Sequence, residues 1–133
     1  MRLLGWDLCL VSQLRGKGRV MILIVEDEVL INWTITEELQ LQGCEVISAF
    51  NADEAISILQ SRADIEVVFT DIDMPGSMDG LRLAAAIRDR WPPIQVIVTS
   101  GKATPSILPQ HVSFLAKPYT VDDVVKSVEQ YCA

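Results

Sequence analysis

The chain is 133 residues long, half of them apolar and 22% charged, which is one domain's worth of sequence with enough apolar material to fill a core. That composition excludes wholesale disorder. Eighteen acidic against eleven basic residues give a formal charge of −7, the wrong sign for nucleic acid as a default partner. The longest unbroken apolar run, Val20–Val25, falls far short of the roughly 18 residues a membrane span needs, so no membrane partner is expected. The charge is uneven. Residues 1–20 hold Arg2, Arg15, Lys17 and Arg19 against Asp7, a net of +3, which leaves −10 for residues 21–133. Cys9, Cys44 and Cys132 are odd in number and lack CxxC spacing, as expected of reduced thiols in a cytoplasmic protein. Asp7 interrupts the first apolar stretch and no small-residue cleavage site follows, so no secretory signal is expected.

Residues 1–19 read as an N-terminal extension. Leu4, Trp6, Leu8 and Leu10 alternate like a strand, while Leu3, Leu10 and Leu14 share a helix face, and periodicity does not choose between them. Gly16-Lys17-Gly18-Arg19 is a basic connector that precedes a strand, whereas a phosphate-cradling Gly-Lys loop follows one. From Val20 to the end the chain reads as a single domain that alternates strand and helix. Val20–Val25 is apolar throughout, as a strand covered on both faces must be. Residues 28–42 have helical periodicity through Leu30, Ile31, Ile35, Leu39 and Leu41, and Gly43 stops them. Glu45–Ala49 is a second strand. Asn51 caps a helix running to about residue 61, with Asp53-Glu54 as its first-turn acids. Glu66–Thr70 is a third strand. Asp79 caps a helix from Gly80 to about Arg90, ended by Pro92-Pro93. Ile94–Thr99 and Val112–Ala116 are the fourth and fifth strands. Thr120 or Asp122 opens a last helix with Val121, Val124, Val125 and Val128 on its apolar face. Trp33 and Trp91 read as packing residues on helix faces, and His111 as a surface-loop residue. Between the last two strands lie Pro105 and Pro109, which leave room for a turn or two rather than a full helix.

Five strands alternating with helices imply right-handed crossovers and a parallel sheet with helices on both faces. Polar residues gather where these strands end: Glu26 and Asp27 after the first, Asp71 after the third, Thr99 at the end of the fourth, Lys117 after the fifth. The carboxyl ends of parallel strands lie on one edge, so these side chains should converge. Converging carboxylates raise one another's pKa or recruit a cation. A hard divalent ion held by oxygens, Mg2+, fits that donor set. An Asp nucleophile, a metal, a lysine and a hydroxyl donor are what phosphoryl transfer to a carboxylate requires.

Ile-Leu-Ile-Val-Glu26-Asp27-Glu28, Phe-Thr-Asp71-Ile-Asp-Met74-Pro75-Gly76, Asp79-Gly80, Val-Thr99-Ser100-Gly101 and Phe114-Leu-Ala-Lys117-Pro118, in that order and spacing, resemble the response-regulator receiver domain of two-component signalling. The resemblance covers residues 20–133. It implies a flavodoxin-like three-layer α/β fold, a parallel sheet of order 2-1-3-4-5, and here a fourth helix, between the last two strands, that is short or missing. It implies Asp71 as phosphoacceptor, Glu26 and Asp27 as the acidic pair, with Asp27 the direct metal ligand and Glu26 acting largely through water, and the Asp73 backbone carbonyl as a further ligand. It also implies Lys117 and Thr99 as partners of the phosphoryl group, Thr99 and Phe114 as the switch pair, and a cis Lys117–Pro118 bond. The implied partners are a histidine kinase or histidine phosphotransfer protein and a downstream protein. The implied activity is the domain's own phosphotransfer and dephosphorylation, not turnover of an external substrate.

Four features depart from the family pattern. Ser77 lengthens the turn before Asp79-Gly80, Asp73 adds an acid two residues beyond Asp71, Phe114 lacks the hydroxyl of the commoner tyrosine, and the surface around the fourth helix is altered. Two other readings compete. Asp71-Ile-Asp73 is similar to the paired aspartates of haloacid-dehalogenase-type phosphohydrolases, where the first attacks and the second is acid/base. Pro75 stands where that family has threonine, and Glu26-Asp27 goes unexplained. A receiver that folds but is never phosphorylated is the other, and the complete set of Asp71, Thr99, Lys117 and the acidic pair argues against it.

Overall fold

The computed structural model describes residues 20–102, 108 and 110–131. Nine elements follow one another: β1 (Met21–Val25), α1 (Val29–Leu41), β2 (Glu45–Ala49), α2 (Ala52–Ser61), β3 (Val67–Asp71), α3 (Gly80–Arg90), β4 (Gln95–Ser100), β5 (Val112–Ala116) and α4 (Val121–Glu129). The strands form one parallel sheet of order β2-β1-β3-β4-β5. This is the flavodoxin-like architecture expected. Residues 1–19, with their two candidate periodicities, lie outside the described residues, as do Cys132 and the prolines at 105 and 109. Among the described residues between β4 and β5, none is helical, in keeping with a short fourth helix.

Two apolar layers flank the sheet because strand side chains alternate between faces. Leu23, Val25, Val68, Val96 and Val98 point to one side and meet Ala55, Leu59, Leu83 and Ile87 of α2 and α3. Ile22, Ile24, Val67, Phe69 and Ile97 point to the other and meet Ile35 and Leu39 of α1 and Val124, Val125 and Val128 of α4. β1 and β3 are buried along their whole length, which is why they read as unbroken apolar runs. Each such buried side chain contributes about 1.5–3 kcal/mol.

The helix starts follow their caps. Asn51 accepts from the Glu54 N–H at 2.8 Å, and Asp79 from the Arg82 N–H at 2.9 Å. Thr120, rather than Asp122, caps α4, in a reciprocal capping box with Asp123. The last turns differ: Arg90 lays its guanidinium 4.4 Å from the centroid of the half-buried Trp91 ring. Pro92–Pro93 and Lys117–Pro118 are cis.

The inward face of α1 departs from expectation. Its buried residues are Asn32, Ile35 and Leu39, while Leu30, Leu41 and Trp33 point outward. The helix is apolar on both sides, so an apolar count could not orient it. The polar Asn32 is the inward residue at i, i+3 and i+7 with Ile35 and Leu39, because its amide has work there. Nδ2 donates to the backbone oxygens of Glu26 and Ala49, each at 3.0 Å, and Oδ1 accepts from Thr36 at 3.3 Å. Asn32 thereby ties the β1–α1 loop to β2. Asn32→Ala leaves buried carbonyl groups short of a donor, and is expected to lower stability by about 2 kcal/mol, read by urea unfolding.

Candidate functional site

Register sets the site. Asp71 is the last residue of β3 and lies beside Thr99 of β4. Thr99 lies beside Leu115 of β5, and the Lys117 N–H bonds to the Ser100 carbonyl at 2.9 Å. Glu26 follows β1, and its N–H bonds to Ala49 of β2 at 3.1 Å. Parallel pairing thus carries Glu26, Asp27, Asp71, Thr99 and Lys117 to one edge, as the strand ends predict.

The convergence is close. Carboxylate oxygens of Glu26, Asp27 and Asp71 lie within 4.8 Å of one another. Asp71 is buried. One of its oxygens receives the Lys117 ammonium at 2.9 Å, the other the Asp73 N–H at 3.0 Å. Burial works against the charge on Lys117, but its hydrogen bond to Asp71 and the attraction of Asp71 and Glu26 outweigh this and raise its proton affinity. Glu26 is only 1% exposed. Its Oε2 accepts the Glu28 N–H at 3.0 Å, while Oε1 has no protein partner. Burial first, and then the charge of Asp71, push its carboxyl up to about 7. A buried carboxylate that leaves one oxygen without a donor and lies within 4.8 Å of two others is short of positive charge. The donor set is all hard oxygen and suits a divalent cation such as Mg2+.

Other side chains complete the edge. The Thr99 hydroxyl is buried without a partner. Phe114 is half-buried against the α2/α3 layer, beside Val98. The carboxylate of Asp73 turns from the acidic trio: it accepts from Ser100 Oγ at 2.7 Å and lies 3.5 Å from Lys102 Nζ. The Ser100 bond, then the lysine charge, hold its pKa below the usual carboxylate range. A carboxyl held ionised in this way is a poor general acid, so the geometry lends no support to the phosphohydrolase alternative. Ser77, the extra turn residue, donates to Asp53 at 2.6 Å. His111 is exposed, on the surface loop where the sequence puts it, with Nδ1 3.2 Å from Gln95 Nε2.

Trp33 corrects an expectation. It is 62% exposed rather than packed, because Ile35 and Leu39 take the inward face of α1. Sequence reasoning also passed over three groups. Asn32 was visible as a polar residue in the i, i+3, i+7 row of Ile35 and Leu39. Ser100 stands in a family motif, but neither it nor Lys102 shows in the sequence that Asp73 is its partner, because only the crossing from β4 brings them together.

Comparison with known proteins agrees with this geometry. The family model described as response regulator receiver domain matches residues 22–129. The response regulator protein FleR of Pseudomonas aeruginosa is 29% identical over 103 residues, 74% of this chain and 21% of that protein. The nitrogen assimilation regulatory protein NtrX of Azorhizobium caulinodans is 31% identical over 115 residues, 82% of this chain and 25% of that protein. This chain therefore spans about a quarter of those relatives or less. Among solved structures, the receiver domain from the hybrid histidine kinase CckA is similar with a TM-score of 0.75 at 29% identity, covering 85% of this chain and 99% of that one. The response regulator protein TrrA of Thermotoga maritima, in complex with Mg2+–BeF, gives 0.76 at 28%, covering 84% and 98%. No helix among the described residues is long and apolar enough to cross a membrane. The fold, the acidic edge and the match over residues 22–129 together place this chain in the response regulator receiver domain family.

Proposed function

We propose that this receiver accepts a phosphoryl group on Asp71 from a phosphohistidine of a histidine kinase or histidine phosphotransfer protein, with Mg2+ at the acidic edge, and thereby changes its affinity for a downstream protein. Residues 20–133 form the receiver unit in this reading, and 1–19 an extension outside it. The supporting observation is the buried Asp71 carboxylate, held between the Lys117 ammonium at 2.9 Å and the Asp73 N–H at 3.0 Å, with oxygens of Glu26 and Asp27 within 4.8 Å.

The chemistry follows from those groups. A bond forms between an Asp71 oxygen and phosphorus as the P–N bond to the donor imidazole breaks, and the electron pair leaves on the imidazole nitrogen. Asp27, Glu26, Asp71 and the Asp73 backbone carbonyl would hold Mg2+, which when bound offsets the negative charge that the carboxylates present to a phosphoryl group. Lys117 supplies a second positive charge. The unpartnered Thr99 hydroxyl is a ready donor for a phosphoryl oxygen. Phosphorylation adds a charge of roughly −1.5 to −2 at this edge. Turning Thr99 toward it would vacate space beside β5, into which the half-buried Phe114 can pack. The protein does not turn over an external substrate, its place is the cytoplasm, and its output is protein contact or phosphoryl relay.

Incubation with phosphoramidate, whose P–N bond mimics phosphohistidine, and Mg2+, followed by intact-mass measurement, tests this. One phosphoryl mass is expected on wild type and none on Asp71→Asn. Wild type left unlabelled would mean a receiver that folds without being phosphorylated. Steady release of inorganic phosphate from phosphate monoesters, lost in Asp73→Asn, would restore the phosphohydrolase.

A further inference from the structure

Two groups flank the Asp71 carboxylate, and both lead back to one residue of β4. The Lys117 ammonium meets Asp71 Oδ2 at 2.9 Å, and the Asp73 N–H meets Oδ1 at 3.0 Å. The main chain of Lys117 is held by the Ser100 carbonyl, which accepts its N–H at 2.9 Å. Asp73 is held by the side chain of the same residue. Ser100 Oγ donates to Asp73 Oδ2 at 2.7 Å, the short length of a charge-assisted bond. That Oγ also accepts the Lys102 N–H at 3.0 Å, which leaves the hydroxyl proton for Asp73. Ser100 is buried, so water competes poorly for the bond. The position matters because the strand ladder stops just before it. Asp71 lies beside Thr99, and the Ile72 N–H bonds to the Thr99 carbonyl at 2.8 Å. After Ile72 the main chain leaves the sheet, and the Ser100–Asp73 bond carries the tie to β4 one residue further.

We propose that Ser100 is a positioning residue of the acidic edge. By holding the Asp73 carboxylate, its hydroxyl fixes the Asp73 peptide, whose N–H orients Asp71 and whose carbonyl would hold Mg2+. The same bond keeps the Asp73 carboxylate turned from Glu26, Asp27 and Asp71, so a fourth negative charge stays out of the place where a phosphoryl group must arrive. Serine suits the task because one hydroxyl donates and accepts at once. Among the described residues the other cation at Asp73 is Lys102, whose Nζ lies 3.5 Å away on a side chain that is 82% exposed. So exposed a pair fixes geometry weakly. Without the hydroxyl, the Asp73 peptide would be held chiefly by Asp71, the group it has to orient. This inference rests on the phosphotransfer reading and extends it to a residue outside the acidic trio. Hydrogen-bond partners that orient metal ligands in this way are worth 10- to 100-fold in metal affinity, as an order of magnitude.

Titration of the full chain with Mg2+ alone, followed through 15N amide signals, tests it. Ser100→Ala is expected to weaken Mg2+ binding about tenfold and to move the Asp73 amide signal, while the Lys117 amide, bonded to the unchanged Ser100 carbonyl, stays in place. Asp73→Ala should bind about tenfold more weakly than Asp73→Asn, since both lack the charge but the asparagine amide oxygen still accepts from Ser100. That pair leaves buried Ser100 untouched and so tests the bond even if Ser100→Ala folds poorly. Adding Ser100→Ala to Asp73→Ala should cost nothing further, because the two side chains act as one unit. A general loss of stability would move neither the asparagine–alanine difference nor this coupling. Wild-type affinity in Ser100→Ala with the Asp73 signal unmoved, equal affinities in Asp73→Asn and Asp73→Ala, or additive losses in the double variant would each overturn the positioning role and leave the phosphotransfer reading standing. A wild type whose Asp27 and Asp71 signals ignore Mg2+ would overturn that reading, and the positioning role with it.

Discussion

Gly80→Ala is expected to destabilise the protein by about 3 kcal/mol and to lower its melting temperature on the order of 10 °C. Gly80 is the first residue of α3, packed under the end of β3. A Cβ there would lie 2.2 Å from the Asp71 carbonyl oxygen and 2.8 Å from Ile72 Cα, atoms of the backbone that cannot rotate aside. Alanine in place of glycine favours a helix by about 1 kcal/mol, too little to offset such an overlap. Relief requires α3 to move away from β3, which also breaks the Gly80 N–H bond to the Ile72 carbonyl at 3.0 Å and shifts the main chain that carries Asp71. Thermal and urea unfolding of the variant measure this. Wild-type stability would show that the close approach is not a constraint.

Glu26→Gln is expected to make the metal-free protein more stable at pH 8, while leaving it little changed at pH 4. The Glu26 carboxyl sits at about 7 when folded, against an ordinary value of 4.5, chiefly through burial. The folded state therefore holds a proton that the unfolded chain gives up between those values. Stability from this group is present in full below about 4.5, declines as pH rises, and is lost above about 7. The size of that loss is roughly 3 kcal/mol. Glutamine keeps an oxygen for the Glu28 N–H and carries no charge, so the difference between variant and wild type should follow that pH window. Millimolar Mg2+ should shrink the difference by supplying the charge that Oε1 lacks. A constant difference from pH 4 to 8 would show that Glu26 is not a strained carboxyl.

The strands and the site were legible for the same reason. β1, β3 and β4 are buried on both faces, so their apolar runs announce them, and in a parallel sheet the residue after each strand falls on a shared edge. Glu26, Asp71, Thr99 and Lys117 could thus be assembled from order alone. α1 was legible as a helix but not in its orientation, since Leu30 and Leu41 are as apolar as Ile35 and Leu39. Only packing on the sheet chose Asn32, Ile35 and Leu39 for the inside and left Trp33 outside. Asp73 shows a different limit. Its neighbour in the chain is the catalytic-looking edge, yet its carboxylate answers to Ser100 and Lys102 across the sheet.

What the primary chain decided by itself was the alternation, the caps at Asn51 and Asp79, and the family motifs, because each depends on residues a few positions apart. Tertiary structure alone decided which face of α1 meets the sheet, how near Gly80 comes to Asp71, and that Glu26 keeps one oxygen buried without a donor. Those outcomes turn on distances of a few ångströms between segments far apart in sequence, and no local pattern encodes them.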